Sequence, residues 1–287
     1  MKRIGFLFAI NLLVFSAYGQ RESQGEKQKP NVEVVSSAEI EWTHLNPARG
    51  DAGPQAGNLW GDRTREGKTG FLVKFKDGFS SPPHIHNVSY RGIVLNGMVH
   101  NDDENADKMW LPAGSYWTQP AGQPHITAAE GQYNLAYIEI ESGPYLVIPT
   151  EEAFDNGERP INLHSTNMVW LDRWSSTWID YGYPDQATEG VEVSFLWGQP
   201  REDGLSGSLV KFPVGFSGFI ESHGSEFRAV VIQGEIQYQG MDNTEDKKLD
   251  AGSYFGSQGE VAHRLFSLSE QEEVLIYIRS NGSFKIH

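Results

Sequence analysis

Gly78-Phe79-Ser80-Ser81-Pro82-Pro83-His84-Ile85-His86-Asn87-Val88-Ser89-Tyr90 is the stretch on which the reading of this 287-residue chain turns. A glycine opens it, two prolines bend it, and two histidines then flank a single isoleucine. On a strand, residues two apart share a face, so the imidazoles of His84 and His86 point the same way. Gly97 follows Tyr90 after six residues; further on, Gly114 leads after five residues to Pro120-Ala121-Gly122 and, after two more, to His125. The glycines suit turns between strands, and Pro120 suits a position where no ladder N–H is needed. Three neutral imidazoles converging inside a barrel make an open site for one divalent transition metal ion, with room for water or substrate.

Outward from this stretch, the chain repeats itself. Leu59-Trp60-Gly61 recurs as Leu196-Trp197-Gly198, and Leu72-Val73-Lys74-Phe75 as Leu209-Val210-Lys211-Phe212, both 137 positions on. Gly78-Phe79-Ser80 returns as Gly215-Phe216-Ser217, Arg91 as Arg228 and Gly97 as Gly234. Ala113-Gly114-Ser115-Tyr116 returns as Ala251-Gly252-Ser253-Tyr254 and His125 as His263, the offset now being 138. A period this long marks a duplicated domain rather than a solenoid. Each copy reads as short strands: Phe71–Phe75, Tyr90–Val99, Gly114–Gln119 and Tyr133–Glu141 alternate or run apolar between Gly, Pro and Asp/Asn clusters. No long apolar stripe of helical period interrupts them, so the fold class is all-β, with sandwiches or barrels as the candidates. The expected units are 32–150 and 181–287, joined by a proline-bearing, acidic connector over 151–180.

Composition narrows the chemistry. A formal charge of −15 disfavours binding to phosphate backbones, and the absence of cysteine excludes disulfides, thiolate catalysis and thiolate metal sites. The first nineteen residues, with Lys2 and Arg3, an apolar run from Ile4 to Phe15 and small residues at Ala17 and Gly19, have the layout of a cleaved secretory signal. The apolar run is short for a span, so the expectation is a secreted or periplasmic protein with a flexible tail over 20–31 and no membrane span.

The histidine frame resembles the first and second motifs of the cupin superfamily, the RmlC-like jelly rolls, and eight of the nine fixed positions match. Because the resemblance covers both repeats, it implies two tandem cupin (double-stranded β-helix) barrels, a bicupin similar to a bacterial group of unassigned function. The departure is Tyr90, which stands where the family has a glutamate ligand. The first barrel then resembles the three-histidine cupins, among them thiol and diketone dioxygenases that use Fe(II). Tyr90 could ligate weakly, donate a hydrogen bond to a bound oxygen species, or pack.

In the second copy, aligning the glycines puts Glu221 at the first histidine, His223 at the second, Phe227 at the glutamate and His263 at the last ligand. Glu221, His223 and His263 are thus either a weaker second metal site or a retired one kept as scaffold. The acidic run from Asn101 to Asp107 reads as a solvated hairpin tip, since it lacks the glycine and terminal glutamate of a calcium loop. Trp60 and Trp197 read as packing, Trp117 as the best aromatic candidate for a pocket wall, and Arg91 and Arg228 as structural ion-pair partners. The functional expectation is a secreted, metal-dependent enzyme acting on a small organic molecule, by dioxygenase-type cleavage. The alternatives are a lyase or isomerase acting on a sugar acid, and a non-catalytic ligand- or metal-binding protein; the oligomeric state is open.

Overall fold

The computed structural model describes residues 32–182, 188–201, 204–240 and 246–287. The expected signal over 1–19 and the tail over 20–31 lie outside the described residues. The chain is built almost wholly of antiparallel strands, in two barrels that follow the two repeats. Among the described residues no helix is long and apolar enough to cross a membrane.

The first barrel is dominated by two long strands, Tyr90–Asp102 and Ile126–Ile140, paired along most of their length. They bend where Gly97 (φ 76°) and Gly131 (φ 127°) take up the left-handed region, so each strand serves two walls. A Cβ on Gly97 would meet Asn134 Oδ1 at 2.0 Å, so this corner has no room for a side chain. Thr69–Phe75 pairs with the far half of Ile126–Ile140, and Tyr116–Gln119 with the start of Tyr90–Asp102. In the second barrel Glu226–Gln233 and Ile236–Gln239 are separate strands on either side of Gly234.

The near-continuous apolar runs of these strands follow from burial on both faces. In Thr69–Phe75, Phe71, Val73 and Phe75 point into the first barrel, while Leu72 faces the second. The core between the barrels gathers equivalent residues of the repeats into one cluster: Leu72 and Leu209, Ile93 and Val230, Leu135 and Leu275, and Tyr137 and Tyr277. At its centre lies a buried ion pair. The Arg279 guanidinium, wholly inaccessible, holds Glu139 at 2.9 Å and Glu141 at 2.7 Å, and Glu139 also accepts from the hydroxyls of Tyr137 and Tyr277. Such a pair is tolerable only because every polar atom has a partner. Arg91 and Arg228 ion-pair with Glu141 and Glu226, and each also stacks on the other barrel's tryptophan: Arg91 lies 3.7 Å from the Trp197 ring and Arg228 4.3 Å from Trp60.

The expected domain boundaries need one correction. Val32–Val35 does not join the first barrel; it pairs with Tyr254–Ser257 of the second. Reciprocally, Ile161–Leu163, within the expected connector, pairs with Tyr116–Thr118 of the first, and Leu171–Asp172 with Glu192–Val193 of the second. Each repeat therefore lends its leading strand to its neighbour, covering an edge that would otherwise be open.

Candidate metal centre

His84 and His86 reach the interior of the first barrel from opposite ends of a short strand. Ile85–His86 pairs with Val147–Ile148, while His84 faces His125 across an isolated bridge with two backbone hydrogen bonds of 3.0 Å. The result is a cluster in which one potential ligand atom from each of His84, His86 and His125 lies within 4.8 Å of the others. His86 and His125 are buried and His84 is half-buried.

The second nitrogen of each ring explains the convergence. Nδ1 of His84 lies 3.0 Å from the Pro82 carbonyl, that of His86 2.8 Å from Leu146, and that of His125 3.1 Å from Gln123. A carbonyl only accepts, so each Nδ1 carries the proton and each Nε2 presents a lone pair. Burial is the main force keeping the rings neutral. It pushes His86 well below the ordinary imidazole value, with His125 and His84 adding to the effect, and His125 down to about 3. His84 shifts the same way through desolvation, which outweighs its bond to the Pro82 carbonyl, with Arg49 adding to the lowering. His125 Nε2 is buried and, among the described residues, has no hydrogen-bond partner. A buried acceptor left bare is costly, and a cation satisfies it. The donor set of three neutral imidazoles therefore fits a divalent transition metal.

The cluster lies against a cavity of about 280 Å³, walled mostly by apolar side chains such as Val73, Phe75, Phe79 and Ile138. Arg49 is the cation on its rim and forms no ion pair among the described residues. Trp117, expected as a wall residue, is one. Tyr90 also lines the cavity, with its ring 5.3 Å from that of His86. Its hydroxyl donates to Asn101 Oδ1 at 2.9 Å, so its proton is committed within the protein. Burial raises its pKa, which argues against phenolate ligation.

Two residues escaped the sequence reading. Asn101 begins the acidic run expected as a hairpin tip, yet it is buried, and its side chain links Tyr90, Gln119 and Thr127. Period-two alternation within Tyr90–Asp102 was the available signal for its inward direction. Tyr145 stacks on His86 with ring centroids 4.3 Å apart, and its hydroxyl lies 3.0 Å from His86 Nε2. Burial, with Tyr90 close by, keeps that hydroxyl protonated well above its ordinary range. No spacing rule marks Tyr145, which follows the last strand of the first repeat.

The second barrel does not assemble Glu221, His223 and His263. Strand register gives the reason. His84 lies opposite His125, but the residue opposite His263 is Ile220. The structural counterparts of His84 and His86 are therefore Ile220 and Ser222, one residue earlier than the glycine spacing implied. A one-residue shift on a strand sends every side chain to the other face. Glu221 points outward to His287 at 3.3 Å, and His223 is exposed. His263 alone is inside, where Tyr238 and Ser257 occupy both of its nitrogens at 2.9 and 3.0 Å. Ile220, Phe227, Tyr238, Phe255 and Phe284 fill the remaining space. Among the described residues, the first-barrel trio is the one metal-competent cluster of three.

Comparison with known proteins places this geometry. A family described as a domain of unknown function (DUF4437) matches residues 33–287. In a sequence comparison, no protein of curated function matches the chain. Similar solved structures include a Nostoc punctiforme protein provisionally named a dioxygenase, with TM-score 0.63 and 14% identity, covering 90% of this chain and 85% of that one. The oxalate decarboxylase of Lactobacillus farciminis, in a formate complex, has TM-score 0.56 and 12% identity over 88% and 87% of the two chains. A Bacillus subtilis oxalate decarboxylase described by its Mn(II) centres has TM-score 0.51 and 12% identity over 90% and 79%. At these identities the likeness is one of fold, and the fold is that of a two-barrel cupin.

Proposed function

The chain belongs to the DUF4437 family, and we propose that it is an exported, metal-dependent bicupin enzyme whose working centre is the first barrel. The observation that carries this reading is the tautomer arrangement: three imidazoles with one ring nitrogen each within 4.8 Å of the others have Nδ1 fixed by a carbonyl, which leaves Nε2 as the lone-pair nitrogen of each. His84, His86 and His125 would hold one divalent ion. Bound there, it would supply Lewis acidity and, if redox-active, a route for electrons to dioxygen. The protein's own part is to position and to exclude water. The apolar wall favours a substrate with an apolar body, and Arg49 on the rim favours one bearing an anionic group. That combination supports oxidative cleavage of a chelating organic acid over chemistry on a sugar acid, whose hydroxyls would meet few polar partners on this wall. The signal-like N-terminus supports action outside the cytoplasm.

Elemental analysis of the protein purified from its native compartment, followed by a turnover screen against chelating organic acids under air, tests the reading. About one equivalent of metal per chain is expected, with His86→Ala reducing it to background. A metal-free native protein, or metal unaffected by His86→Ala, would refute it. Stoichiometric metal without turnover of any substrate would leave a binding protein.

A further inference from the structure

We propose that Tyr145 is a displaceable latch on the metal site: its hydroxyl occupies the ligand lone pair of His86, yields it when a metal ion binds, and then stands as a protein hydrogen-bond donor beside the ion. The inference rests on the reading that the three histidines bind metal, and it adds a residue and a sequence of events to it.

The direction of the hydrogen bond is set by the other side of the ring. His86 Nδ1 lies 2.8 Å from the Leu146 carbonyl and must donate, so Nε2 is an acceptor and the Tyr145 O–H, 3.0 Å away, is the donor. The atom that a metal would take is therefore already engaged. His125 differs, since among the described residues its buried Nε2 has no partner, and the Nε2 of His84 has no hydrogen bond to them either. Of the three ligand positions, one carries a protein competitor.

The competitor is held in place by its backbone. Tyr145 N donates to the Arg63 carbonyl at 2.8 Å, and Leu146 N to Asn87 Oδ1 at 2.9 Å. Asn87 Nδ2 donates to the Pro144 carbonyl at 2.9 Å, and Val147–Ile148 is zipped to Ile85–His86. The segment carrying Tyr145 is thus tied to the strand carrying His86. When Nε2 turns to a metal, the hydroxyl loses its acceptor but not its neighbourhood. It remains next to the ring it left, with the Tyr90 ring 5.7 Å from its own and the cavity in front of it. Two replacement acceptors are within its reach, the Tyr90 hydroxyl oxygen, whose own proton goes to Asn101, and a substrate oxygen at the ion.

The energetics give the size of the effect. Metal binding must break one neutral O–H···N bond, whose net worth is about that of an ordinary protein hydrogen bond, so removing the hydroxyl should tighten metal binding about fivefold. The experiment is a Zn²⁺ titration of metal-free wild type, Tyr145→Phe, Tyr90→Phe and His86→Ala against a coloured chelator, followed also by near-ultraviolet tyrosine difference absorption. Tyr145→Phe is expected to bind several-fold more tightly. Wild type and Tyr90→Phe should both give a tyrosine difference signal on Zn²⁺ addition, and Tyr145→Phe should lack it. Equal affinity in wild type and Tyr145→Phe would overturn the latch. Weaker binding by Tyr145→Phe would overturn it too, making Tyr145 a ligand. If Tyr145→Phe does not fold, absence of the difference signal from wild type alone refutes the idea. Failure of both wild type and Tyr145→Phe to bind Zn²⁺ would instead sink the metal reading underneath.

Discussion

The two barrels share a strand plan and differ in what they do with the space inside. Where the first has His84, His86, Tyr90, Asn101 and Trp117, the second has Ile220, Ser222, Phe227, Tyr238 and Phe255 at the positions matched by register. His125 and His263 are the common element, and their surroundings are opposite. Among the described residues His125 has a buried nitrogen without a partner, whereas both nitrogens of His263 are hydrogen-bonded and its ring stacks on Phe227 at 5.0 Å. The same residue on the same strand is a ligand candidate in one copy and a structural rivet in the other. Site formation here depends less on possessing a histidine than on withholding its partners.

Exchanging the two histidines' fates is the sharpest way to break this comparison. His263→Ala removes packing and leaves the buried Tyr238 and Ser257 hydroxyls without their acceptor or donor, at an expected cost of about 3 kcal/mol in unfolding free energy. It should leave metal content unchanged. His125→Ala should do the reverse, abolishing metal binding while costing the metal-free protein less than His263→Ala. Denaturant titration of the metal-free forms, with metal analysis of each, checks both. Equal destabilisation by the two substitutions would dissolve the distinction.

A further effect of the same residue appears as a slope in the acid limb. Burial holds His263 at about 3, below its unfolded value, so the unfolded chain binds the extra proton between roughly pH 6.5 and 3. Stability from this group is complete above about pH 6.5 and is lost as pH falls through that window, at up to about 1.4 kcal/mol per pH unit. Unfolding free energies measured across the window should therefore fall less steeply in His263→Ala than in wild type. Smallest of all, His223→Ala and Glu221→Gln should each change stability by less than about 0.5 kcal/mol, since one side chain is exposed and the other sits outside in a partly exposed pair. Neither should alter metal content. A loss of metal with either would restore the second site.

These contrasts also mark what could be read from the chain alone. His84, His86 and His125 were legible because strand periodicity and turn glycines constrain them locally. Trp117 was legible as a large aromatic residue three positions before Pro120 of the second motif. Glu221 and His223 were misplaced because counting from Gly215 cannot detect where a residue has dropped out. The first repeat spends Pro82-Pro83 on a bend, while the second runs as one strand through Gly218, and only pairing with His263 reveals the altered register. Asn101 was hidden by the acidic residues after it. Tyr145 and the exchanged strand Val32–Val35 are defined by partners tens to hundreds of positions away, which no local pattern encodes.

The ion pair between Glu139 and Arg279 records something about the origin of the duplication. Gly70 pairs with Glu139 as Gly207 pairs with Arg279, so the two charged residues are counterparts, and they touch each other across the approximate twofold axis. In a dimer of two identical chains, the same axis would set glutamate against glutamate or arginine against arginine in a dry interior, where like charges are strongly unfavourable. Opposite signs at one self-facing position require two genetically independent halves. This contact therefore requires that the two copies had already diverged in sequence. It also makes fusion hard to reverse into symmetry: cut apart, each half would be matched by its unlike sibling and repelled by its own copy.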